Sequence, residues 1–253
     1  MEIVDLFFEE SGSGTPMIFL HGYPLDHTIW KPLIPYLTGE VRLILPDLRG
    51  HGNSVVPAGI YSMELMAEDI LSLMNKLGLK KAILVGHSMG GYASLAFARD
   101  HADRLAGLVL VASQCFLDSP DKMQGRMEDA IRVETSRDTA FIADKMLPNL
   151  SADPHILNQL RGMIANMNPA GVAGTLRGMA QRSATCGVLA ELAVPLVIIA
   201  GEQDRIILLE KARQMAGLMR KPWLEVIPGS GHMLMLENPK RVAEILIKII
   251  EKL

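Results

Sequence analysis

Short, almost uninterrupted runs of apolar residues alternate along most of this chain with segments of helical periodicity. Apolarity in the short runs does not alternate residue by residue, which predicts strands buried on both faces, as in a parallel sheet. The longer segments repeat apolar residues at three- and four-residue steps, which is typical of amphipathic helices. The alternation therefore predicts an α/β fold in which a mostly parallel sheet lies between two layers of helices. The predicted strands cover residues 17–20, 41–45, 82–85, 105–112, 195–200 and 224–227, with an edge strand over 3–8, and the predicted helices cover 63–77, 92–98, 208–219 and 242–253.

One segment, from about residue 115 to residue 187, interrupts this alternation because it contains no convincing strand. Three times within it a capping side chain stands directly before a proline, at Ser119, Asp153 and Asn168. Proline is tolerated in the first turn of a helix, so each of these pairs predicts a helix start. The segment is predicted to form four short helices, near residues 121–134, 138–147, 153–166 and 169–182.

The predicted helices of this segment contain methionines and four glycines whose purpose the sequence leaves open. The methionines either pack the segment onto the sheet or line an apolar pocket, since thioethers adapt to varied ligands. Each glycine either weakens its helix, by ~1 kcal/mol relative to alanine, or allows another element to approach closely. The glycines are Gly162, Gly171, Gly174 and Gly178.

Length and charge bound the functions that this chain of 253 residues can have. With 25 basic and 28 acidic residues the net charge is −3, which argues against nucleic acid as the main partner, since phosphate binding needs a basic face. No apolar run is long enough to span a membrane, and residues 1–10 lack the basic start of a secretory signal. The two cysteines, Cys115 and Cys186, are too few for a disulfide framework and predict reduced thiols in a cytoplasmic protein.

The segment Gly86-His87-Ser88-Met89-Gly90 follows an apolar run and precedes a helical one. A G-x-S-x-G pattern between a strand and a helix is typical of a sharp turn that exposes a serine hydroxyl as a nucleophile. The turn brings the residues two before and two after the serine close together, and glycine at both positions avoids a clash between Cβ atoms. Ser88 is therefore the predicted nucleophile.

A serine hydroxyl needs a base to act as a nucleophile, and that base needs a group that orients it. In this architecture the acid and then the histidine follow the serine along the chain, and of the histidines beyond Ser88 the best placed is His232. It lies in a glycine-rich loop after the last predicted strand, where a catalytic base is expected. Asp204, after the preceding strand, is the predicted acid, with Glu202 and Asp118 as alternatives.

Acyl transfer also needs hydrogen-bond donors for the oxygen on which negative charge develops. The backbone N–H of Met89, at the predicted helix start, supplies one, and the backbone N–H of Tyr23 supplies the other. Pro24 has no N–H to donate, and Gly22 lets the chain approach closely. The neighbouring His21 is interpreted as a residue that orders this loop.

The chain resembles the α/β-hydrolase superfamily and is similar to small bacterial carboxylesterases and enol-lactonases with a helical cap. The resemblance runs from about residue 12 to residue 253. It implies a three-layer fold of about seven strands, with a core domain of residues 1–114 and 188–253. Residues 115–187 would be a four-helix cap, inserted after the sixth strand of the family. The motifs that carry the resemblance are GHSMGG at 86–91, HGYP at 21–24, the loop 47–54, the turn 201–204 and the Gly-His-Met segment at 231–233.

One departure from the family is visible at the start of the chain. Members of the family often have two strands before the His-Gly loop, whereas only a short segment precedes Thr15 here. The first antiparallel strand is therefore expected to be missing or very short.

The predicted activity is that of a carboxylesterase that cleaves small to medium acyl esters through an acyl-enzyme. His232 takes the proton of Ser88 as its hydroxyl attacks the ester carbonyl, Asp204 orients the imidazole, and water then hydrolyses the acyl-enzyme. A lactonase or a hydrolase of C–C bonds on the same three residues is one alternative, and a ligand receptor with little turnover is another.

No zinc-ligand or nucleotide-binding motif occurs in the sequence, so neither a metal nor a cofactor is expected. The expected partner is a small-molecule ester, with no nucleic acid and no membrane, and the sequence leaves the oligomeric state open. A serine at the nucleophile position disfavours the related dehalogenases and epoxide hydrolases, which use an aspartate there. Positions in loops suggest four substrate-binding residues, namely Trp30, Phe116, Ile206 and Met233.

Overall fold

The computed structural model describes residues 2–37 and 39–253, and its centre is one seven-stranded sheet. The strands lie in the order β1-β3-β2-β4-β5-β6-β7, and all neighbours are parallel except β1, which pairs antiparallel with β3. The predicted α/β class with a mostly parallel sheet of about seven strands is confirmed. The strands are β1 Phe8–Ser11, β2 Thr15–Leu20, β3 Val41–Pro46, β4 Ala82–His87, β5 Leu105–Val111, β6 Leu196–Gly201 and β7 Leu224–Ile227.

The edge strand is displaced from its predicted position at residues 3–8. Side chains take the backbone N–H groups before Phe8, although the Phe7 carbonyl accepts from the N–H of Asp47 at 3.0 Å, directly after β3. The N–H of Val4 donates to Asp69 at 2.9 Å, and the N–H of Phe7 donates to the Ser54 hydroxyl at 2.9 Å. The ladder with β3 begins only where Phe8 lies opposite Pro46. Only one antiparallel strand therefore precedes the His-Gly loop, as the departure from the family suggested.

Helices cover both faces of the sheet, and four of them form the segment after β5. The prolines that begin three of these helices follow capping side chains as predicted, because Ser119, Asp153 and Asn168 each accept a hydrogen bond from a first-turn N–H. The helices are α1 Ile34–Leu37, α2 Met63–Lys76, α3 Met89–Asp100, α4 Pro120–Ser136, α5 Ala140–Leu150, α6 Pro154–Ala165, α7 Pro169–Ala180, α8 Gly187–Glu191, α9 Leu209–Leu218, α10 Leu234–Glu237 and α11 Pro239–Ile250, with 3-10 turns at His27–Leu33 and Ala102–Arg104.

The helical insertion, residues 115–187, leaves the sheet after β5 and returns before β6. The insertion therefore follows the fifth strand of this chain, where the resemblance implied the sixth strand of the family. The division of the chain into a core domain and a cap stays a prediction. In the part of the chain that the structure describes, no helix is both long and apolar enough to cross a membrane.

Glycines on one face of α7 bring the insertion against the core. Gly171, Gly174 and Gly178 share that face because they are three and four residues apart. A Cβ on Gly171 would meet the Gly50 carbonyl oxygen, and a Cβ on Gly178 would meet the carbonyl oxygen of Tyr61. These glycines therefore allow close packing. Gly162 in α6 differs, because no described group beyond its own helix backbone and chain neighbours lies within 4 Å of the position of its Cβ.

A disulfide joins Cys115 to Cys186, whose Cα atoms lie 4.8 Å apart. The expectation of reduced thiols was therefore wrong. The two cysteines are separated by 71 positions, but they bracket the helical insertion, and both chain ends of the insertion meet at the sheet. The backbone N–H of Thr185 also donates to the Cys115 carbonyl at 3.1 Å. The disulfide thus closes the neck through which the insertion leaves and rejoins the core.

Candidate active site

Ser88 lies in the sharp turn between β4 and α3, in a backbone conformation that residues other than glycine rarely adopt. Its φ is 49° and its ψ is −110°, a strained combination that persists only where the surroundings enforce it. A Cβ on Gly86 would lie 2.5 Å from the Gly90 carbonyl oxygen, and a Cβ on Gly90 would meet the Leu20 carbonyl oxygen. The N–H of Ser88 donates to Val111 on β5 at 2.9 Å. The two glycines thus let the turn close and hold the hydroxyl at the carboxyl end of β4.

His232 and Asp204 meet beside this turn, although 28 positions separate them in the chain. The Nδ1 of His232 lies 2.8 Å from Oδ2 of Asp204, and both side chains are buried. A carboxylate only accepts hydrogen bonds, so Nδ1 carries a proton, and in the neutral imidazole the lone pair is then on Nε2. The other carboxylate oxygen accepts from the N–H groups of Ile206 at 2.8 Å and Ile207 at 3.0 Å. Asp204 is therefore fixed on both of its oxygens.

The two alternative acids lie in other surroundings. Glu202 is exposed, and its carboxylate accepts from the N–H of Gly229 at 3.0 Å. Asp118 is buried and accepts from Arg126 at 2.7 Å and from Arg182 at 2.6 Å and 3.0 Å. These cations hold the pKa of the Asp118 carboxyl well below its usual range, against the opposing effect of burial, which is the larger single influence. Of the three candidate acids, only Asp204 hydrogen-bonds to His232.

The two predicted oxyanion donors are free to bind a ligand. Among the described residues, neither the N–H of Tyr23 nor the N–H of Met89 donates to another group of the protein. Met89 is the first residue of α3, so its N–H has no partner one turn earlier in the helix. The Cβ that a larger residue would place at Gly22 would lie 2.5 Å from the His87 ring, so this glycine is needed for the close approach of the loop.

Hydrogen bonds between loops brace the segment that carries Tyr23. Burial lowers the pKa of His21, so its neutral ring accepts at Nε2 from the N–H of Leu48 at 2.9 Å. On the neighbouring loop, Arg49 forms a bidentate ion pair with Asp69, with both contacts at 2.5 Å. The interpretation of His21 as a residue that orders this loop agrees with these contacts.

Ser88 and His232 line one cavity of about 370 Å³. Of the four predicted substrate-binding residues, only Ile206 lies on its wall. Trp30 and Met233 are fully buried in the core, and Phe116 lies outside the cavity, where the Lys211 ammonium stands 4.7 Å from its ring centroid. A position in a loop near the site did not predict whether a side chain turns towards the cavity or into the core.

Most of the apolar wall comes from residues that the sequence did not single out as substrate-binding. The insertion contributes methionines, as one of the two interpretations of its methionine content expected, while other methionines of α4 and α6 lie outside the cavity. Tyr23, for whose phenol the sequence suggested no role, is also one of the residues that line the cavity. The remaining apolar and aromatic residues of the wall are Tyr92, Ile142, Met146, Leu176 and Met179.

One group of side chains has the geometry of a metal site. Asp26, His27 and Asp47 place possible ligand atoms within 4.8 Å of one another. Their atoms are already used, because Asp26 caps the N–H of Thr28 at 2.8 Å and Asp47 accepts from the backbone and the ring of His27 at 2.8 Å and 2.7 Å. These hydrogen bonds connect the loop of Asp26 and His27 to the loop of Asp47, which explains why the three side chains lie together.

The arrangement provides the parts that acyl transfer requires. A hydroxyl on a strained turn and a carboxylate-oriented imidazole share one largely apolar cavity, and two backbone N–H groups near them donate to no other described residue. Together such groups can activate a nucleophile and stabilise negative charge on a carbonyl oxygen. Metal ions and redox groups are not required for that chemistry.

Comparisons with known proteins agree with this architecture. The chain is 39% identical to a thermophilic esterase from Thermogutta terrifontis whose structure has malate bound, with a TM-score of 0.94 over 98% of this chain and 93% of that one. It is 30% identical to the AB hydrolase superfamily protein YisY of Bacillus subtilis, over 97% of this chain and 95% of the relative. It is 29% identical to a putative non-heme chloroperoxidase of Synechocystis, over 98% and 95% of the two chains. The family model of the alpha/beta hydrolase fold matches residues 15–239, and the chain belongs to that family.

Proposed function

We propose that this protein is a serine carboxylesterase that hydrolyses small to medium acyl esters through an acyl-enzyme. The observation that carries the proposal is the 2.8 Å contact between His232 Nδ1 and Asp204 Oδ2 in a cavity that His232 shares with Ser88. That contact leaves Nε2 as the only base on the imidazole, and an oriented neutral imidazole is what a serine nucleophile needs. The apolar wall of the cavity favours the hydrocarbon part of an ester.

Each proposed role follows from the position of the group. The hydroxyl of Ser88 attacks the carbonyl carbon as Nε2 of His232 accepts its proton, and the N–H groups of Tyr23 and Met89 hold the oxygen that becomes negative. The protonated His232 then donates to the leaving alcohol, while Asp204 stabilises its positive charge. Water repeats the cycle on the acyl-enzyme and releases the acid.

The relatives support a hydrolase in general and an ester hydrolase in particular. The Thermogutta protein is an esterase, and the malate bound to it is a carboxylic acid, which is the class of product that ester hydrolysis releases. One relative carries the name of a putative non-heme chloroperoxidase, so identity by itself does not decide the reaction. The small-molecule ester stays the expected substrate.

The test is hydrolysis of 4-nitrophenyl esters from acetate to decanoate by the wild type and by Ser88→Ala. We expect many turnovers in the wild type and none in Ser88→Ala, with an optimum at a chain length that fits a cavity of about 370 Å³. Ser183→Ala is the matched control, because this exposed serine lies outside the cavity. Equal activity of wild type and Ser88→Ala would refute the proposal.

Two other outcomes would point to the alternatives. Turnover of lactones or of C–C bonds without turnover of simple esters would assign the same three residues to another hydrolase reaction. A single burst equal to the enzyme concentration, together with a rise in melting temperature on ligand addition, would indicate a receptor. The cytoplasmic location stays part of the proposal, although the disulfide removes the argument that the cysteines had supplied for it.

A further inference from the structure

The Tyr23 side chain is a buried hydrogen-bonding group that the proposed chemistry does not use. Only its backbone N–H is assigned to the oxyanion. Its residue is 8% exposed and lies on the cavity wall, and among the described residues its hydroxyl has no hydrogen-bond partner. A buried polar group without a partner destabilises the folded state, so folding alone does not explain why a hydroxyl occupies this position.

The Tyr23 hydroxyl also stays protonated at neutral pH. Burial raises the pKa of the Tyr23 phenol well above its usual range, against a smaller opposing effect of the Arg126 charge. The group therefore keeps a proton that it can donate. Tyr23 thus carries two donors, the unpartnered hydroxyl among the described residues and the backbone N–H that would hold the carbonyl oxygen.

Arg126 on α4 supplies a second donor on the same wall. Its Nε donates to Asp118 at 2.7 Å, and its Nη1 contacts the Met179 sulfur at 3.4 Å. In the part of the chain that the structure describes, neither terminal nitrogen of this guanidinium hydrogen-bonds to an oxygen. The charge of Arg126 thus remains only partly matched by protein groups.

The charges around Arg126 leave cations in excess. Asp118 faces three of them, since Arg182 lies 2.6 Å and Lys122 lies 3.5 Å from its oxygens besides Arg126. Arg182 is buried and its guanidinium lies 4.3 Å from the ring centroid of Tyr92.

The nearby acids do not remove this excess. Asp129, which is close enough to Tyr23 to influence its pKa, is paired with Lys145 at 2.5 Å. Asp121, the other acid on the wall, is exposed. The buried wall therefore offers a neutral donor and an incompletely paired cation, which is the donor set that a carboxylate prefers.

We propose that the Tyr23 hydroxyl and the Arg126 guanidinium form a carboxylate subsite in the active-site cavity, so that the preferred substrates are esters that carry a free carboxylate. This inference rests on the proposed ester hydrolysis and names its substrate class. A carboxylate on the acyl side of the ester makes the substrate a half-ester of a short dicarboxylic acid. A carboxylate on the alcohol side makes it a short acyloxy acid. Two donors on one group also fix its orientation, which places the scissile carbonyl at Ser88.

The test compares charged esters with neutral esters of the same shape. Monoethyl glutarate against ethyl pentanoate tests the acyl side, and 4-acetoxybutanoate against butyl acetate tests the alcohol side, with acid release followed by titration. In the wild type we expect kcat/KM for one charged ester to exceed that of its neutral counterpart at least tenfold. Arg126→Met should abolish that ratio, and Tyr23→Phe, which keeps the backbone N–H, should reduce it several-fold.

The matched control is Arg132→Met, since Arg132 lies on the same helix but outside the cavity, where its guanidinium stands 3.9 Å from the ring centroid of Phe141. This variant should keep the wild-type ratio. The absence of a preference for either charged ester, or an equal loss on charged and neutral esters in Arg126→Met, would overturn the inference.

Binding to an inactive variant separates this inference from the proposed function. Calorimetric titration of Ser88→Ala with monoethyl glutarate and 4-acetoxybutanoate needs no turnover. We expect at least one of them to bind about tenfold more tightly to Ser88→Ala than to Ser88→Ala/Arg126→Met. Equal binding to the two variants refutes the subsite, even if the wild type proves to be an esterase. Tighter binding supports the subsite, even if no ester is hydrolysed.

Discussion

The ring of His87 hydrogen-bonds through Nε2 to the backbone carbonyl oxygen of His232 at 3.1 Å, and the centroids of the two rings lie 4.8 Å apart. Burial lowers the pKa of His87 well below its usual range, so the ring stays neutral and donates from Nε2. The residue directly before the nucleophile thus holds the loop of the proposed base. His87 acts on the reaction only through that loop, which makes it a positioning residue.

We therefore expect His87→Phe to lower kcat about tenfold with little change in KM, because the His232 carbonyl loses its donor and the loop moves. His87→Gln keeps an amide donor and should recover part of the loss. Steady-state kinetics on a 4-nitrophenyl ester checks both variants. An equal loss of kcat in the Phe and Gln variants would mean that the His87 ring contributes by packing and not by its hydrogen bond to the His232 loop.

Asp204→Asn should lower kcat by roughly a thousandfold or more, because an amide that donates to Nδ1 would leave His232 in the wrong tautomer. Glu202→Gln is the matched control, since its carboxylate is exposed and contacts only the N–H of Gly229 among its described neighbours. The measurement is kcat for both variants at one pH. If Glu202→Gln were the slower variant, the acid would be wrongly assigned.

Buried neutral histidines should make the protein less stable in mild acid. Burial lowers the pKa of His51 to about 3 and also lowers the pKa of His21 and His87. These rings take up protons when the chain unfolds, so their contribution to stability is complete above pH ~6.5 and is lost as pH falls towards 3. His27 acts in the opposite direction: burial lowers its pKa, but hydrogen bonds that its ring donates to the carboxylates of Asp47 and Glu9 outweigh burial and raise the pKa overall.

Denaturant unfolding at pH 6, 5 and 4 measures this dependence. Each histidine that protonates only on unfolding adds up to about 1.4 kcal/mol per pH unit to the slope of the unfolding free energy. His51→Gln should reduce that slope by about one proton relative to the wild type. An equal slope in wild type and His51→Gln would contradict the prediction.

The disulfide at the neck of the insertion should stabilise the fold strongly, because it closes a loop that spans 71 positions. The chain-entropy model gives about 4 kcal/mol for a loop of this length. The double variant Cys115→Ser/Cys186→Ser should therefore melt several degrees lower than the wild type, and reductant should lower only the wild-type melting temperature. Two reactive thiols in the denatured, unreduced wild type would show that the bond does not form.

Two glycine replacements in neighbouring helices should change stability in opposite directions. Gly162→Ala should raise the unfolding free energy by up to ~1 kcal/mol, because alanine favours helix and the site is open. Gly178→Ala should lower it by ~1–3 kcal/mol, since its Cβ would meet the Tyr61 carbonyl oxygen and push α7 from the core. Unfolding in urea measures both variants, and a gain in both would mean that α7 is not held at this face.

Local patterns in the sequence were sufficient to predict those elements whose formation depends on neighbouring residues in the chain. The buried strands and the capped, proline-started helices formed within a few residues of their predicted bounds, because burial and capping act over one or two turns. The edge strand was displaced because Asp69 and Ser54, distant in the chain, take the backbone donors of Val4 and Phe7. The meeting of His232 with Asp204 followed from the rule that ends of parallel strands share one edge of the sheet.

By itself the sequence determined the α/β class, the turn that carries Ser88 and the order of the residues proposed to act with it, because these follow from periodicity and from glycine at close backbone approaches. Only the tertiary structure decided which side chains face the cavity, that Tyr23 and Arg126 share its wall, and that Cys115 and Cys186 are bonded. The physical reason is the same in each case. Whether a side chain faces the cavity, how its charge is paired, and whether two cysteines 71 positions apart meet all depend on how the helices and strands pack. No local pattern in the chain specifies that packing.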